Sequence, residues 1–255
     1  MTPMFDLRGS RTRKLYLDLI EKCLLNTIYE DPSLHSGVFD PDARARGHDC
    51  PRTAHTMIGA MRLHNLRTLT EQVLAERIPG DLIETGVWRG GACILMRAVL
   101  KAWHSTNRTV WVADSFSGLP PPNVADYPAD TGDVGLLHTI KELAVPLAKV
   151  QSNFSKYELL DGQVRFLEGW FRNTLPNAPI KQLALIRLDG DMYESTMVAL
   201  KSLYQKLSPG GYVIVDDYAA IDACRQATND FRSALGIFEP IHDVDGVGVY
   251  WRKPK

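Results

Sequence analysis

Long apolar runs, closely spaced cysteines and any marked excess of charge are all missing from this 255-residue chain. No stretch approaches the roughly 20 apolar residues that a membrane-spanning helix needs, so no membrane partner is expected. The opening Met1-Thr-Pro-Met-Phe-Asp6 lacks the apolar core of a secretory signal, and a cytoplasmic location is expected. The formal net charge is −1, which favours neither nucleic acid nor an anionic membrane as principal partner. Without a basic run to hold a polyanion, a nuclease or phosphatase is a weak reading. Cys23, Cys50, Cys93 and Cys224 show no C-x-x-C spacing and read as reduced, mostly buried thiols. The strict dinucleotide fingerprint, G-x-G-x-x-G, is missing too.

A near relative of that fingerprint is present. Asp81-Leu-Ile-Glu-Thr85 reads as a strand, Gly86 to Gly91 as a glycine turn, and Ala92 to Leu100 as a helix. That is the first unit of a nucleotide-type α/β fold, with free N–H donors at the start of its helix. Glu84 stands where the first glycine would be, giving E-x-G-x-x-x-G-G. A carboxylate there would repel a pyrophosphate but suits the amino group or sulfonium of S-adenosylmethionine (SAM). Alone, the motif also fits a tight turn with no ligand. Hydrophobic residues make up 45% of the chain and charged residues 23%, which suits a soluble α/β domain with a sizeable core, with or without an appendage.

Upstream, Leu15, Tyr16, Leu19, Ile20, Cys23, Leu24, Thr27 and Ile28 form one apolar stripe. Its spacing predicts a helix that packs on the core or on a second subunit. Residues 30–54 are polar with little periodicity and read as a loop in which His35, His48 and Asp49 are either solvated or in touch with substrate. A second helix is expected from Thr56 to Arg77, ended by Pro79-Gly80. Residues 1–79 thus form an N-terminal helical extension with an acceptor loop, and 80–255 the core.

Within the core, Thr109 to Asp114 reads as a buried parallel strand. Asp114 at its end is either a turn cap or the acceptor that a ribose diol needs. Ser115 to Gly135 carries Pro120-Pro121-Pro122 and scattered aspartates. It reads as a mobile lid, spanning 115–138, over the carboxyl end of the sheet. His138 follows it, as a surface residue or one brought to substrate, and then a helical run from Ile140 that Pro146 interrupts. Val164 to Glu168 is a third strand; after it, Gly169-Trp170 offers either a core tryptophan or a platform for adenine. Further strands are expected at Leu183–Asp189, Tyr212–Asp217, Ile237–Asp243 and Gly246–Trp251, with helices at Tyr193–Leu207 and Ala223–Leu235. The last two strands are expected as an antiparallel pair at one edge.

Ligands of open α/β sheets bind beyond the carboxyl ends of the strands, and Asp114, Asp189, Asp191, Asp216 and Asp217 all fall at such ends. Four of them belong to two strands joined by one helix, so about 4.8 Å should separate neighbouring backbones. Carboxylates that close repel unless a cation lies between them. Mg²⁺, a hard ion with oxygen ligands, fits, and it would acidify a substrate hydroxyl. With the glycine turn, this describes methyl transfer from SAM to an oxygen, with positioning and electrostatics as the main catalytic means.

The strings Ala54-His-Thr-Met-Ile-Gly59, Glu84-Thr-Gly-Val-Trp-Arg-Gly-Gly-Ala-Cys93, Val110-Trp-Val-Ala-Asp-Ser-Phe116, Gln163-Val-Arg-Phe-Leu167, Gly169-Trp-Phe171, Asp189-Gly-Asp191, Asp216-Asp-Tyr218 and Gly248-Val-Tyr-Trp251 resemble the macrocin/mycinamicin-type (TylF-like) sugar O-methyltransferases. The resemblance runs from about Leu15 to Arg252. It implies a class I SAM-dependent methyltransferase fold: a Rossmann-like, seven-stranded, mostly parallel sheet with an antiparallel edge pair. It also implies Mg²⁺ dependence, a homo-oligomer (dimer or tetramer), and a deoxysugar hydroxyl on a glycosylated macrolide- or aminocoumarin-like antibiotic as acceptor. By position, Met57, Glu84, Thr85, Gly86, Asp114, Ser115, Gly169 and Trp170 would bind SAM. Asp189, Asp216 and Asp217 would bind the metal, with Asp191, Asp189 or His138 as general base. The chain departs from the family pattern at Cys50, and the loop from Glu30 to Cys50 aligns least, which bears on the acceptor. A nicotinamide-dependent dehydrogenase would explain the Rossmann-like opening but not Glu84 or the aspartates. A non-catalytic SAM-binding module is the other rival.

Overall fold

Strands that are apolar on both faces need a cover on both sides, and the computed structural model, which describes residues 5–255, supplies it. The first four residues of the expected N-terminal extension lie outside the described residues. In chain order come α1 (Phe5–Leu25), α2 (Pro41–Arg46), α3 (Gly59–Ala75), β1 (Asp81–Thr85), α4 (Gly91–Ala102), β2 (Val110–Asp114), α5 (Leu147–Lys156) and β3 (Val164–Glu168). There follow α6 (Phe171–Thr174), β4 (Leu183–Leu188), α7 (Tyr193–Leu203), β5 (Leu207–Val215), α8 (Asp222–Ala234), β6 (His242–Asp243) and β7 (Val249–Arg252).

The seven strands form one sheet in the order β3-β2-β1-β4-β5-β7-β6. β1 to β5 run parallel, while β7 is antiparallel to both β5 and β6. The strand order reverses between β1 and β4, which is where such sheets open a crevice at their carboxyl ends. All of β4 is buried, as is α4 from Gly91 to Leu100, because α1 and α3 cover its outer side. Leu17, Leu24, Leu63 and Leu66 are fully buried in that layer, each stabilising the fold by about 1.5–3 kcal/mol. On the other face α7 and α8 pack Leu200, Leu203 and Phe231 against the sheet and Trp251.

Five expectations are revised. The helix expected from Thr56 starts at Gly59, because Thr56 to Ile58 turn into the cavity described below. Residues 30–54 are not a structureless loop. They contain α2, whose N-cap Asp40 accepts from the amides of Asp42 and Ala43. The buried Arg44 donates to Asp49, to Leu25 O and to Asp31 O. Order here comes from this buried guanidinium and from the buried Asp31 carboxylate, which accepts from Thr53 N, Thr53 Oγ1 and Ala54 N, rather than from a periodic apolar face, so no periodicity betrayed it. Pro146 does not interrupt a helix: short 3-10 turns precede it and α5 begins just after it, as suits a residue without an N–H. The strand expected from Ile237 shrinks to His242–Asp243. Finally, the apolar stripe of α1 is two-sided: Leu17, Ile20 and Leu24 are buried, whereas Leu15 is 63% and Leu19 53% exposed.

Candidate active site

β1 ends in Glu84-Thr85 and the chain turns at Gly86, where φ is 83°. A Cβ at Gly86 would fall on the carbonyl oxygen of Asp189, and one at Gly91 on that of His55. At these two positions glycine is demanded by the approach of neighbouring backbone, not by a ligand. The turn is clamped by Asp114 at the end of β2: its Oδ2 accepts from Val87 N at 2.7 Å and its Oδ1 from Phe116 N at 2.7 Å. Burial raises the Asp114 carboxyl above its usual range, against the pull of these bonds.

Beyond this turn lies a cavity of about 450 Å³, a size typical of small-molecule sites. Its floor is the strand ends and its roof is the segment between β2 and α5, which contributes Leu119, Pro120, Leu137, Ile140 and Leu143. Eight carboxylates line it (Asp49, Glu84, Asp114, Asp189, Asp191, Glu194, Asp216, Asp217) against two guanidiniums, Arg62 and Arg172. The cavity is acidic, so a cationic ligand is favoured and a pyrophosphate is not.

β4 and β5 are neighbours with Leu188 opposite Val215, which sets Asp189 beside Asp216. Oxygens of Asp189, Asp216 and Asp217 lie within 4.8 Å of one another. The cation expected between these carboxylates is in part the chain's own, because two arginines stand among them. Arg187, 1% exposed, donates to Glu84 Oε1 at 2.5 Å, to Asp189 Oδ2 at 2.7 Å and to Asp216. Arg62 donates to the other Asp216 oxygen and to Asp245 at 3.0 Å. Positive charge still falls short on one side. Burial, Asp191, Asp189 and Asp216 push the Asp217 carboxyl well above its usual range, and its buried Oδ2 has no hydrogen-bond partner. Three convergent hard oxygens, from carboxylates of which Asp217 keeps an unpartnered oxygen, fit a divalent ion such as Mg²⁺.

Asp191 sits in the left-handed region at φ 58°, a strained conformation for a non-glycine residue that functional sites often hold. Burial and the neighbouring Asp189 and Asp216 push it up to about 7. Glu84 is likewise pushed up to about 7 by burial, with Arg187 opposing, and its Oε2 accepts from Cys93 Sγ at 2.9 Å. Glu84 therefore belongs to the ion-pair network as well as to the cavity wall.

Most of the expected site residues meet in this cavity: Met57, Glu84, Gly86, Asp114, Ser115, Trp170, Asp189, Asp191, Asp216 and Asp217 line it. Three do not. Thr85 is buried beneath the turn, its carbonyl accepting from Asp189 N at 2.9 Å. Gly169 donates to Asp114 O at 2.9 Å, one residue before Trp170. His138 is exposed, and its Nδ1 is bonded to Gly135 O at 2.6 Å within its own 3-10 turn, while Leu137 and Ile140 on either side face the cavity. In the N-terminal segment His48 and Asp49 line the cavity and His35 does not. The arginines were missed. Arg187 carried a signal, a lone cation inside the apolar run Leu183-Ala-Leu-Ile-Arg-Leu188, which a buried strand tolerates only with carboxylate partners. Arg62 carried none, since its partner Asp245 is 183 residues away.

The family model described as Macrocin-O-methyltransferase (TylF) matches residues 32–253. Among curated proteins, the chain is 55% identical to the 8-demethyl-8-(2,3-dimethoxy-alpha-L-rhamnosyl)-tetracenomycin-C 4′-O-methyltransferase of Streptomyces olivaceus, over 94% of this chain and 93% of that one. It is 48% identical to the mycinamicin III 3″-O-methyltransferase of Micromonospora griseorubida, over 94% and 96% of the two chains. Of solved structures, that of the O-methyltransferase NovP superposes with a TM-score of 0.92 at 49% identity, covering 95% of this chain and all of that one. The calicheamicin methyltransferase CalS11, at 24% identity and a TM-score of 0.62 over 76% of this chain and 79% of that one, shares the fold.

Proposed function

Because the chain belongs to the macrocin O-methyltransferase (TylF) family and has the class I methyltransferase fold, we propose that it is a SAM- and Mg²⁺-dependent enzyme that methylates a deoxysugar hydroxyl on a glycosylated natural product. The observation that carries the reading is the acidic cavity, in which the Asp189, Asp216 and Asp217 oxygens converge beside the glycine turn. SAM would supply an electrophilic methyl group and the divalent ion Lewis acidity toward the acceptor hydroxyl.

The chain's own residues account for the rest. Asp114 faces the ribose and Glu84 the cationic end of SAM, with Met57 and Trp170 as apolar walls. Asp189, Asp216 and Asp217 hold the ion. Arg187 and Arg62 fix Asp189 and Asp216 in place, Arg187 through one oxygen of each and Arg62 through the second oxygen of Asp216, so the orientation of these carboxylates is set by the protein itself. Asp191 takes the hydroxyl proton on its carboxylate; it lies in the cavity, and His138 is bonded to its own 3-10 turn. The roof of Leu119, Pro120, Leu137, Ile140 and Leu143 excludes water that would compete for the methyl group.

The named relatives act on the rhamnosyl 4′ position of a tetracenomycin and on mycinamicin III at 3″. A sugar on an antibiotic scaffold is therefore the acceptor class we assign, in the cytoplasm. We also assign a homo-oligomer, since Leu15 and Leu19 leave one side of α1 without cover. Incubation with SAM, Mg²⁺ and a panel of glycosylated polyketides and aminocoumarins, read by product mass and NMR, tests the function. Methylation of a sugar oxygen supports it; turnover on none of the panel, with SAM still bound, leaves a binding module instead.

A further inference from the structure

We propose that Asp130, in the cover between β2 and α5, is a positioning residue that ties this cover to the turn bearing Asp189 and Asp191. Helix α7 starts with no cap of its own: Met192 holds the N-cap position in extended conformation and makes no side-chain bond. The free amides of a helix start need acceptors, and here they are met from a residue more than 60 positions away. Asp130 Oδ1 accepts from Tyr193 N at 2.6 Å and Oδ2 from Glu194 N at 3.0 Å. The side chain is fully buried, at 0% exposure, and its charge lies at the positive end of the helix. Tyr127, three residues earlier, packs its ring 6.0 Å from that of Tyr193, whose hydroxyl donates to Asp230 of α8 at 3.0 Å.

Position gives this cap its consequence. The first turn of α7 begins two residues after Asp191 and brings Glu194 and Ser195 to the cavity wall. The strained stretch from Asp189 to Met192 spans β4 and α7, so fixing the start of α7 fixes where that stretch ends. The cover has no continuous apolar face, and Asp130 gives its middle a buried polar anchor. Its far end is held separately, by Trp88 Nε1 donating to Glu142 O at 2.9 Å. Docking of the cover and setting of the 189–192 turn are thus one event. That this event aligns Asp191 with an acceptor rests on the methyl-transfer reading above; the coupling itself does not.

NMR-detected hydrogen exchange on the full chain, with and without S-adenosylhomocysteine, tests the coupling in wild type, Asp130→Ala and Asp130→Asn. In Asp130→Ala the amides of Tyr193 and Glu194 and those of Asp126 and Tyr127, which donate to Asn123, should lose protection together, by about tenfold for the loss of a good cap, while α4 keeps its own. Asp130→Asn, which retains one acceptor oxygen, should restore part of the loss in both places. In turnover, Asp130→Ala should lower kcat with KM for SAM unchanged, and Asp130→Asn should recover part of it. Faster exchange confined to Tyr193 and Glu194, with Asp126 and Tyr127 unaffected, would reduce Asp130 to a local cap and overturn the proposal, as would no change anywhere. Should Asp130→Ala loosen α4 as well, Asp130→Asn alone decides by the same paired criterion. If the chain methylates no acceptor, the exchange result still stands and only the methyl-transfer reading falls.

Discussion

Replacing Arg187 with methionine keeps most of the side chain's length and removes the charge shared by Glu84, Asp189 and Asp216. Arg187 and Glu84 are 1% and 2% exposed, so no solvent compensates the loss. Breaking a buried pair by removing one partner costs about 3–5 kcal/mol. In a chain of this size that lowers the melting midpoint by about 6–20 °C. The pH dependence is more telling. Burial already pushes Glu84 up to about 7, above its ordinary 4.5, with Arg187 opposing the shift. Between those values the native state binds the extra proton, so this group makes stability fall as pH rises, the reverse of a salt-bridged carboxylate. Without Arg187 the window extends upward, and the deficit of Arg187→Met should be larger at pH 8 than at pH 6. Added Mg²⁺ should narrow it, because carboxylates that have lost their guanidinium hold a cation more tightly than those of the wild type, and an ion bound only to the native state stabilises that state. Guanidinium denaturation at both pH values, with and without Mg²⁺, measures all three effects. A deficit under about 1 kcal/mol at pH 8, or one independent of pH, refutes the view that Arg187 balances the cluster.

Asp114→Asn can still accept from one of the two turn amides but loses the charge, so the SAM dissociation constant should rise about tenfold or more, as for a charged hydrogen bond worth ~1.5–3 kcal/mol. Unchanged affinity in equilibrium dialysis would leave Asp114 with the turn alone. Asp191→Asn should abolish most turnover while SAM binding persists, and His138→Ala should leave turnover near wild type; the opposite pattern would return the base to His138. Burial and the cations Lys156, Arg89 and Lys149 push His55 down to about 4, beside the Tyr157 hydroxyl at 2.8 Å. The unfolded chain takes up the proton first, so this contribution is intact above pH 6.5 and is lost as pH falls toward 4, by at most about 1.4 kcal/mol per pH unit and less where solvent screens it. His55→Gln should flatten that limb of the stability curve, and an unaltered limb assigns it to other groups.

Much of the fold was legible because its strands and helices bury whole faces. Leu183 to Leu188 could only be an inner strand, and the short spacing of the last two strands announced an antiparallel edge. The aspartates were legible because sheet topology converts a position at a strand end into a position in the crevice. What escaped depends on contacts distant in sequence. Arg44 and Asp31 order residues 31–54 through partners separated in sequence, Arg62 reaches Asp245, and Asp130 caps a helix more than 60 residues away. The orientation of His138 was illegible for a related reason. In a 3-10 turn adjacent residues point different ways, so Leu137 faces the cavity and His138 does not.

On the proposed reading, the carboxylates at the ends of β4 and β5 hold a divalent ion that sugar methylation requires. Methyl transfer by chelator-treated enzyme, with Mg²⁺ then returned, and with Mn²⁺ binding followed by electron paramagnetic resonance in wild type and Asp216→Asn, tests this most directly. Turnover should vanish with chelator and return with Mg²⁺, and Asp216→Asn should weaken Mn²⁺ binding and turnover together. Full turnover in excess chelator, with no Mn²⁺ bound to the wild-type chain, would contradict it.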